Sequence, residues 1–460
     1  MSPPIAPERV LPTLNTDGTR RRIRPRLYEG PRLTGRKRTA WVLMLLFAGA
    51  PLITINGKPL ILLDVAQREF TLGGRTFLPT DSMLLMLLLL SIFVAIIWTT
   101  ALVGRAWCGW ACPQTVYMEF LFRPIERLFE GGREGQLRID RNGGSWRRVA
   151  KNVVFFLIAF LVGNVFLSYF VGVKTLLAWT QLSPLEHWSP FLIVLVTTGL
   201  VFFDFAYFRE QMCTVICPYA RIQSVLLDRR SLVIGYDKLR GEPRAKGKPR
   251  SGVGDCIDCS ACVVACPTGI DIRDGLQLEC IACAQCADAC DGIMAKLGKP
   301  PGLVRYGSQT TLETQQKTPI WRTRVAIYSG LLLVVLTALV VFSSVRKQAE
   351  VTVLRGIGAP FTLRGSDVIS ELRIKVRNRE GGPRHYRLSL VATPAIQLIA
   401  PENPLDVAAG AQRTTAVFAV APRESFLSGV RNIQVRVSDE QGFSTDVPYR
   451  LLGPESGAMP

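Results

Sequence analysis

The chain has 460 residues, of which 48% are hydrophobic, and it carries a formal net charge of +19. High hydrophobicity together with 55 Lys and Arg indicates apolar blocks separated by basic ones. The 12 cysteines fall into four short motifs with none left over, which excludes a small disulfide scaffold and points to metal-ligand chemistry in a reducing compartment.

Five apolar runs predict the membrane part of the chain, at residues 41–55, 83–103, 153–173, 191–208 and 325–342. The middle three are long enough to cross a hydrocarbon core about 30 Å thick at about 1.5 Å per residue. The first run is short and contains Pro51, which predicts a helix that is either kinked or extended by its flanks. It follows a polar, Arg-rich segment and shows no small-residue cleavage site, and we therefore expect an uncleaved helix.

The distribution of basic residues predicts how these helices are oriented. Residues 1–40, 104–151 and 209–324 hold ten, nine and seventeen Lys and Arg, whereas the loops 56–82 and 174–190 hold three and one. The positive-inside rule then puts the N-terminus and both large basic stretches in the cytoplasm, and five crossings leave residues 343–460 outside. Topology accounts for the net charge, so nucleic-acid binding is not required to explain it.

The first cysteine motifs in the chain are two copies of C-x3-C-P. Cys108 and Cys112 lie five and nine residues beyond the second apolar run, and Cys213 and Cys217 lie at the same offsets beyond the fourth. If each helix continues through its motif, both sulfurs share one face, and the proline limits the helix soon afterwards. The four thiols could bind Cu(I), form redox-active disulfides or hold a third metal centre. The alternative is that they are small buried residues packed between helices.

The remaining eight cysteines form an internal duplication. Cys256, Cys259, Cys262 and Cys266 follow C-x2-C-x2-C-x3-C-P, and adding 24 gives Cys280, Cys283, Cys286 and Cys290. In two-cluster ferredoxins of this spacing, the fourth cysteine of each run ligates the other cluster. We therefore assign Cys256, Cys259, Cys262 and Cys290 to one 4Fe–4S cluster, and Cys280, Cys283, Cys286 and Cys266 to a second.

Zinc is the alternative metal for these motifs, but three cysteines at this spacing, followed by a fourth before a proline, favour iron–sulfur clusters. Cys290 departs from the pattern because Asp291 follows it where a proline often stands. Two neighbouring clusters would pass single electrons, so this segment is interpreted as an electron-transfer module.

Two further features lie outside the cysteine motifs. Asp204 sits inside the fourth apolar run, where an ionisable group is expensive, and nearby Arg209 could neutralise it. After residue 342, the stretches ELRIKVRN, HYRLSLVA, TTAVFAVAP and NIQVRVSDE alternate apolar and polar residues between turn signals. That pattern predicts the strands of a β-sandwich.

The order of these features resembles the CcoG family of cytochrome c oxidase accessory proteins in Gram-negative bacteria, also called FixG or RdxA. The likeness begins at about Pro31, and GRAWCGWACPQTVYMEFLFRPIE is its most specific stretch. The resemblance implies an inner-membrane protein that reduces Cu(II) to Cu(I) for assembly of cbb(3)-type oxidase. It links copper reduction to Cys108, Cys112, Cys213 and Cys217, and it makes the eight ferredoxin cysteines iron ligands.

The expected architecture is a multi-domain membrane protein with about five transmembrane helices, a cytoplasmic two-cluster ferredoxin-like α+β domain and a C-terminal immunoglobulin-like β-sandwich. The expected boundaries are a basic tail at 1–40, a membrane domain at 41–230, a ferredoxin-like domain at 231–320, a fifth transmembrane helix at 321–345 and a periplasmic domain at 346–460.

The functional hypothesis is a membrane-bound cupric reductase with two 4Fe–4S clusters and copper as its substrate. Its expected partners are membrane lipid, oxidase assembly factors, copper chaperones and an unidentified electron donor, with no nucleic acid. Two alternatives are a quinol-oxidising polyferredoxin relay and a non-catalytic assembly scaffold.

Overall fold

The computed structural model describes residues 13–454 except 14, 16, 18, 56, 66–68, 78–81, 144, 182, 246–251, 346–347, 381, 392–394 and 409. The chain divides into two compact units. The first comprises Met1–Ile53, Leu62–Val65 and Ser82–Val340, and the second comprises Thr54–Ile61, Ala66–Asp81 and Val341–Pro460. The first 12 residues of the predicted tail and the last six of the predicted outer domain lie outside the described residues.

The α-helices are α1 (Pro31–Gly49), α2 (Ser82–Val103), α3 (Ala106–Trp110), α4 (Pro113–Tyr117), α5 (Arg123–Glu130), α6 (Arg133–Arg141), α7 (Trp146–Val171), α8 (Val173–Gln181), α9 (Trp188–Phe203), α10 (Pro218–Leu226), α11 (Lys238–Gly241), α12 (Ala261–Ala265), α13 (Gln285–Lys296), α14 (Gln309–Thr314) and α15 (Thr323–Ser344). Three π-helical segments lie at Met118–Phe122, Asp204–Phe208 and Met212–Ile216.

The strands are β1 (Thr54–Ile55), β2 (Lys58–Pro59), β3 (Ile61–Asp64), β4 (Glu69–Leu72), β5 (Arg75–Phe77), β6 (Val233–Tyr236), β7 (Val304–Gly307), β8 (Ala349–Arg355), β9 (Thr362–Arg364), β10 (Asp367–Asn378), β11 (Arg384–Leu390), β12 (Gln397–Ile399), β13 (Leu405–Val407), β14 (Gln412–Pro422), β15 (Val430–Ser438) and β16 (Ser444–Leu452).

Among the described residues, four helices are long and apolar enough to cross a membrane: Met83–Val103, Trp146–Val171, Trp188–Phe208 and Thr323–Ser344. They contain nearly all of the last four predicted runs. Many of their apolar side chains are exposed, including Leu89, Leu161 and Leu333 at 63–67%. Such surfaces are stable in a lipid environment, and the chain is a membrane protein.

The first predicted run, 41–55, differs from the expectation of a separate apolar span. Its first half belongs to α1, which begins at Pro31 and carries four basic residues before Trp41. The helix gives way to a 3-10 turn at Ala50–Leu52 that contains Pro51, whose ring disfavours a continued helix.

The end of α1 contacts the end of α7. The Tyr169 hydroxyl, two residues before the end of α7, donates to the Phe47 carbonyl at 2.6 Å, and the two rings stack at 5.1 Å. The helix α1 is therefore basic at its start and apolar towards its end, where it reaches the far end of α7.

The ferredoxin-like part is held together by one strand pair and one helix pair. Strand β6 pairs antiparallel with β7, and α12 packs against α13. Its core contains Ile234, Ile272, Met294 and Leu303, each at most 2% exposed, together with cysteines of both motifs. This α+β arrangement confirms the predicted class.

The C-terminal part is a β-sandwich with one hydrophobic core. One sheet has the order β12-β14-β10-β8, with β9 also paired to β10, and the other has the order β13-β11-β15-β16. Residues alternate between buried and partly exposed along the whole of β10, as a strand with one buried face requires. The four predicted strand patterns fall in β10, β11, β14 and β15, so the sandwich prediction is confirmed.

Candidate functional site

The eight repeated cysteines line two separate cavities in the ferredoxin-like part. Cys256, Cys259, Cys262 and Cys290 line one cavity, which is called the first cavity below. Cys266, Cys280, Cys283 and Cys286 line the other, the second cavity, with Cys262 contributing to its wall. The fourth cysteine of each run thus lies in the cavity of the other run. The cysteines are grouped as the crossed assignment requires, and the ligation itself stays a prediction.

The backbone of the two cysteine runs repeats along with the sequence. Asp258 and Ser260 adopt positive φ at 50° and 55°, and the residues 24 positions later, Ala282 and Ala284, do so at 53° and 59°. Non-glycine residues rarely occupy this region, and its use persists where surrounding contacts enforce it. Such turns point backbone N–H groups inward, which creates a concavity suited to an anionic group.

Backbone donors and burial together define the chemistry of the second cavity. The Ala282 N–H donates to the Cys280 sulfur and the Gln285 N–H donates to the Cys283 sulfur, and both bonds stabilise the thiolate. Burial nevertheless raises the pKa of Cys280 to about 12 and that of Cys283 to about 11. These thiols therefore hold their protons at neutral pH unless a bound cation stabilises the thiolate.

The spacing of the donors fits clusters better than single ions. Among the described residues, no three His, Cys, Asp or Glu side chains lie close enough together to hold one metal ion. A zinc site brings four sulfurs to about 2.3 Å from one centre, whereas a 4Fe–4S cluster binds each thiolate at a different iron. Each cavity is lined by four thiols spread around an apolar space, with Cys259 exposed, and these residues fit a cluster.

Asp291, the departure from the repeat, has a structural role. The first run ends at Cys266-Pro267, and α12 stops at Ala265 because the residue before proline is driven into extended backbone. The second run lacks the proline, so α13 continues through Cys290 to Lys296. Asp291 then accepts hydrogen bonds from the Gly302 N–H at 2.7 Å and from Arg32 Nη1 at 2.8 Å.

Helix α13 also anchors the start of α1. Asp288, 2% exposed, accepts from the Leu33 N–H at 2.8 Å and forms an ion pair with Arg32 at 3.2 Å. A carboxylate at the first turn of a helix satisfies free N–H groups and interacts favourably with the helix dipole. The α1 helix is therefore capped by a residue of the ferredoxin-like part.

The two CxxxCP motifs do not lie on continuous helices, contrary to the conditional prediction. Cys108 is in α3, which ends at Trp110, and Cys213 is in the π-helical turn Met212–Ile216. Cys112 and Cys217 instead precede α4 and α10 as extended residues, and a proline opens each new helix. Proline is favoured at the first helical position because its missing N–H needs no partner there.

The structure brings the four CxxxCP thiols into one neighbourhood. Burial raises the pKa of Cys213 far above its ordinary value, and the nearby Cys112, Cys108 and Cys217 add to this effect. Burial also raises the pKa of Cys108 to about 11 and shifts that of Cys112 upward. Because no three of these sulfurs, all within the described part of the chain, can reach one ion, they do not form a ready three-ligand metal site.

The first CxxxCP motif packs directly on the second cavity. Cys108, 7% exposed, contacts Ile281 and Cys283 in one cluster of buried side chains. A β-carbon on the next residue, Gly109, would stand 2.6 Å from the Ile281 carbonyl oxygen. Glycine is therefore required for this approach of two backbones. The contact joins a membrane-edge thiol to a cysteine of the second cavity.

Gln223 was missed by sequence reasoning and organises the thiol site. It is fully buried, its Oε1 accepts from the Cys108 sulfur at 3.2 Å, and its Nε2 donates to the Tyr219 hydroxyl at 2.8 Å. The same amide donates to Thr100 Oγ1 at 3.0 Å at the end of α2. Its one sequence signal is its place six residues after Cys217.

Arg36 was also missed, because a basic residue near an apolar run reads as a topology signal. It is 0% exposed, and its Nε donates to the Gly109 carbonyl at 2.8 Å. Its Nη2 has no hydrogen-bond partner among the described residues. Its charge opposes the effect of burial on the pKa of Cys283, which places a buried cation beside the second cavity.

Asp204 has a different partner from the predicted one. Arg209 forms a two-bond pair with Glu126, Nη1 to Oε1 and Nη2 to Oε2, both at 2.8 Å. Asp204 instead accepts a hydrogen bond from Nε2 of Gln114 at 3.1 Å. Gln114 lies two residues after Cys112. The expected neutralisation by Arg209 was wrong because the buried Glu126 binds that guanidinium.

Family models match most of this architecture. A 4Fe-4S dicluster domain matches residues 208–309, a 4Fe-4S binding domain matches 85–131, and the IG-like fold at the C-terminus of FixG matches 339–454. The dicluster match contains all eight repeated cysteines, and the second match contains Cys108 and Cys112. The predicted pair of iron–sulfur clusters and the predicted fold class are confirmed.

Three relatives that align over more than half of the chain agree. Protein RdxA of Cereibacter sphaeroides is 34% identical over 83% of this chain and 85% of its own length. Nitrogen fixation protein FixG of Rhizobium meliloti is 38% identical over 63% of this chain and 57% of its own length. Protein RdxB of C. sphaeroides is 34% identical over 75% of this chain and 76% of its own length. The sequence prediction of the family is thereby confirmed, and the chain, an iron–sulfur electron-transfer protein of the membrane, belongs to the FixG/RdxA family.

Proposed function

We propose that the chain is a cupric reductase, which accepts Cu(II) at the CxxxCP thiols and releases Cu(I). The observation that carries the proposal is the packing of Cys108 on Cys283 and Ile281. An electron held at the second cavity would then have the shortest path to the membrane-edge thiols through this contact. Clusters bound in the two cavities would supply the one-electron chemistry.

The chain's own residues prepare the acceptor site. Cys108 is buried and Cys112 and Cys213 are half-buried, and the raised pKa of each thiol keeps it protonated at neutral pH. Binding of a copper ion must therefore release protons as thiolates form. Thiolates prefer Cu(I) over Cu(II), which favours the reduced product while it is bound. Among the described residues, no three of these sulfurs are grouped to hold one ion, so the proposal needs no closed copper cage, as suits a substrate that must leave.

Each Cu(II) takes up one electron to become Cu(I), so the donor must supply one electron per copper ion. A membrane quinol is the class of donor that the location favours, because its oxidation releases two electrons and two protons and would serve two copper ions. The cluster on the donor side would be the one in the first cavity, whose lining does not include Cys283, the contact of Cys108. Its ligands would be Cys256, Cys259, Cys262 and Cys290.

The cellular setting of this activity is part of the same proposal. The basic stretches that carry the cysteines would face the cytoplasm of a bacterial inner membrane, and the β-sandwich would face the periplasm. Cu(I) would pass to copper chaperones and assembly factors of a cbb(3)-type oxidase. The support is the charge distribution along the chain and membership in the family.

The test uses full-length protein purified without oxygen and reduced with dithionite, which is then removed. Added Cu(II) should oxidise the clusters and yield one Cu(I) per electron, trapped by a Cu(I)-specific chelator. A variant with Ser at Cys108, Cys112, Cys213 and Cys217 should keep its iron and lose this reaction. Unchanged copper reduction in that variant, with full iron content, would remove the assignment.

A quinol-oxidising relay is the second candidate, and one observation favours it. The 4Fe-4S binding domain model covers Cys108 and Cys112, so the four CxxxCP thiols could hold a third cluster. Iron analysis separates the two functions, because two 4Fe–4S clusters require about eight iron atoms per chain and three require about twelve. Twelve atoms, falling to eight in the quadruple Ser variant, would favour the relay.

A further inference from the structure

One further cavity is rich in cations, and its lining contains no cysteine. Its volume of about 220 Å³ has room for more than a single water molecule, because a cavity needs only roughly 10–15 Å³ to hold one. Its charged lining comes from the N-terminal segment, the start of α7 and the turn before Cys213. It will be called the basic pocket, and its cations are Arg20, Arg22, Arg24, Arg148, Lys151 and Arg209.

The carboxylates around the basic pocket are shared among several cations. Glu126 pairs with Arg24, Lys151 and Arg209, while Glu210 pairs with Arg20 at 3.5 Å. Glu130 and Asp140 both pair with Arg148. Six cations against these four carboxylates leave an excess of two positive charges. Arg123, which also approaches Glu210, is balanced by Glu119 at 2.5 Å.

Two of these guanidinium groups keep unused donors. The Nε atoms of Arg20 and Arg209 are buried and have no hydrogen-bond partner in the described part of the chain. Arg209 is 7% exposed as a residue, and its Nε lies 3.6 Å from Glu210, which is too far for a hydrogen bond. Both Nε atoms are inaccessible from the cavity, whereas Arg22 and Arg148, with side chains 52% and 21% exposed, can donate to an anionic ligand there.

The position of the basic pocket indicates the source of that anion. Its apolar wall includes Phe202, Ala206 and Tyr207 at the end of the Trp188–Phe208 span. Arg148 and Lys151 of the same lining lie in the first two turns of α7, the span that precedes it in the chain. Trp146 and Tyr207 are 73% and 53% exposed, as aromatic residues at the level of lipid headgroups are.

We propose that the basic pocket binds the phosphate headgroup of an anionic phospholipid from the leaflet on the CxxxCP side of the membrane. The excess positive charge and the accessible guanidinium groups of Arg22 and Arg148 would bind the phosphate, because arginine forms strong charge-assisted bonds to phosphate oxygens. Phe202 and Ala206 would contact the glycerol and the start of the acyl chains. Basic pockets between membrane helices are known to take such headgroups. The bound lipid joins the N-terminal segment to α7 and α9.

The test uses the full-length, iron-loaded protein in a neutral detergent. Phosphatidylglycerol, phosphatidylcholine and inorganic phosphate are added separately, and the unfolding midpoint is followed by tryptophan fluorescence. Phosphatidylglycerol should raise the midpoint, and the other two should not at equal phosphate concentration. Native mass spectrometry should show phosphatidylglycerol retained on the protein.

The variant Arg20→Gln/Arg22→Gln should weaken the phosphatidylglycerol response about tenfold or more in lipid concentration, at unchanged iron content. Arg22→Gln alone, at a half-exposed side chain, should give part of this loss if the double variant folds poorly. The matched control is Arg21→Gln/Arg141→Gln, which removes two exposed arginines outside the pocket and should keep the response.

Three results would overturn the proposal. An equal midpoint shift with phosphatidylcholine would mean that any lipid suffices. An equal shift with inorganic phosphate would identify a soluble phosphate compound as the ligand. Equal losses in the pocket variant and in the control would attribute the effect to overall surface charge.

Discussion

Gly109 and Cys283 approach so closely that a β-carbon on Gly109 would stand 2.8 Å from both the N and the Cα atoms of Cys283. Backbone atoms cannot move aside as the end of a flexible side chain can. The first CxxxCP motif and the second cavity are therefore joined through a position that only glycine can occupy without a shift.

Gly109→Ala should separate the motif from the second cavity and slow electron transfer to copper by on the order of tenfold to a hundredfold. Stopped-flow oxidation of dithionite-reduced protein by Cu(II) measures the rate. Gly292→Ala is the matched control, because a β-carbon at that helical glycine meets nothing within 4 Å. An unchanged rate in Gly109→Ala would show that the contact is not on the electron path.

Arg36 should set the reduction potential of one cluster. A buried positive charge stabilises the reduced, more negative form, so Arg36→Gln should lower the potential of the cluster in the second cavity by on the order of tens of millivolts. Redox titration followed by EPR measures this potential. Arg36→Lys keeps the positive charge while losing the guanidinium geometry, so its potential should stay close to that of the unmodified protein. If Arg36→Lys lowered the potential as much as Arg36→Gln does, loss of the hydrogen bond to Gly109 and not loss of charge would be the cause, and the prediction would be contradicted.

The crossed ligand sets can be tested by combining these variants. Cys290→Ser should remove the cluster of the first cavity, and Cys266→Ser should remove that of the second, each with a loss of about four iron atoms. Addition of Arg36→Gln should then shift the potential of the cluster that remains in Cys290→Ser. It should leave that in Cys266→Ser unchanged, whereas uncrossed ligation would reverse the two results.

Cys108 should react slowly at neutral pH in copper-free protein. Burial raises its pKa to about 11, from an ordinary value of 9.0, and the thiolate is the reactive form. Iodoacetamide labelling of the Cys108 peptide should therefore increase between pH 9 and pH 11. Since the folded state holds this proton more tightly than the unfolded state, its contribution to stability is present below pH 9 and is lost as the pH rises through 11.

Gln223→Leu provides the control for that titration. It removes the acceptor of the Cys108 S–H bond, so the protonated thiol is less favoured and the labelling curve should move to lower pH. Labelling of Cys108 at pH 7 as fast as that of an ordinary exposed thiol would refute the assigned shift.

Much of the fold could be predicted from the sequence, because its signals are local. The 24-residue repeat locates eight cysteines in register, and its turns recur in the positive φ values of Asp258 and Ala282. Apolar runs locate the membrane helices since their length and composition alone suffice. The alternation along β10 predicts its buried face for the same reason.

Helix boundaries within the site were less predictable. The i, i+4 spacing of each CxxxCP pair suggested one continuous helix, yet Pro113 and Pro218 begin new helices and leave the preceding cysteine extended. Spacing within a window cannot decide between a proline that ends a helix and one that begins the next. The surrounding tertiary contacts make that choice.

By itself the sequence determined which groups are available: twelve thiols in four motifs, five apolar runs and the basic segments that flank them. Only the tertiary structure decided which of them meet. The contact of Cys108 with Cys283 spans 175 positions along the chain, and the capping of α1 by Asp288 spans about 255, so neither leaves a periodic trace. Such contacts arise when whole surfaces pack together, and no local pattern encodes them.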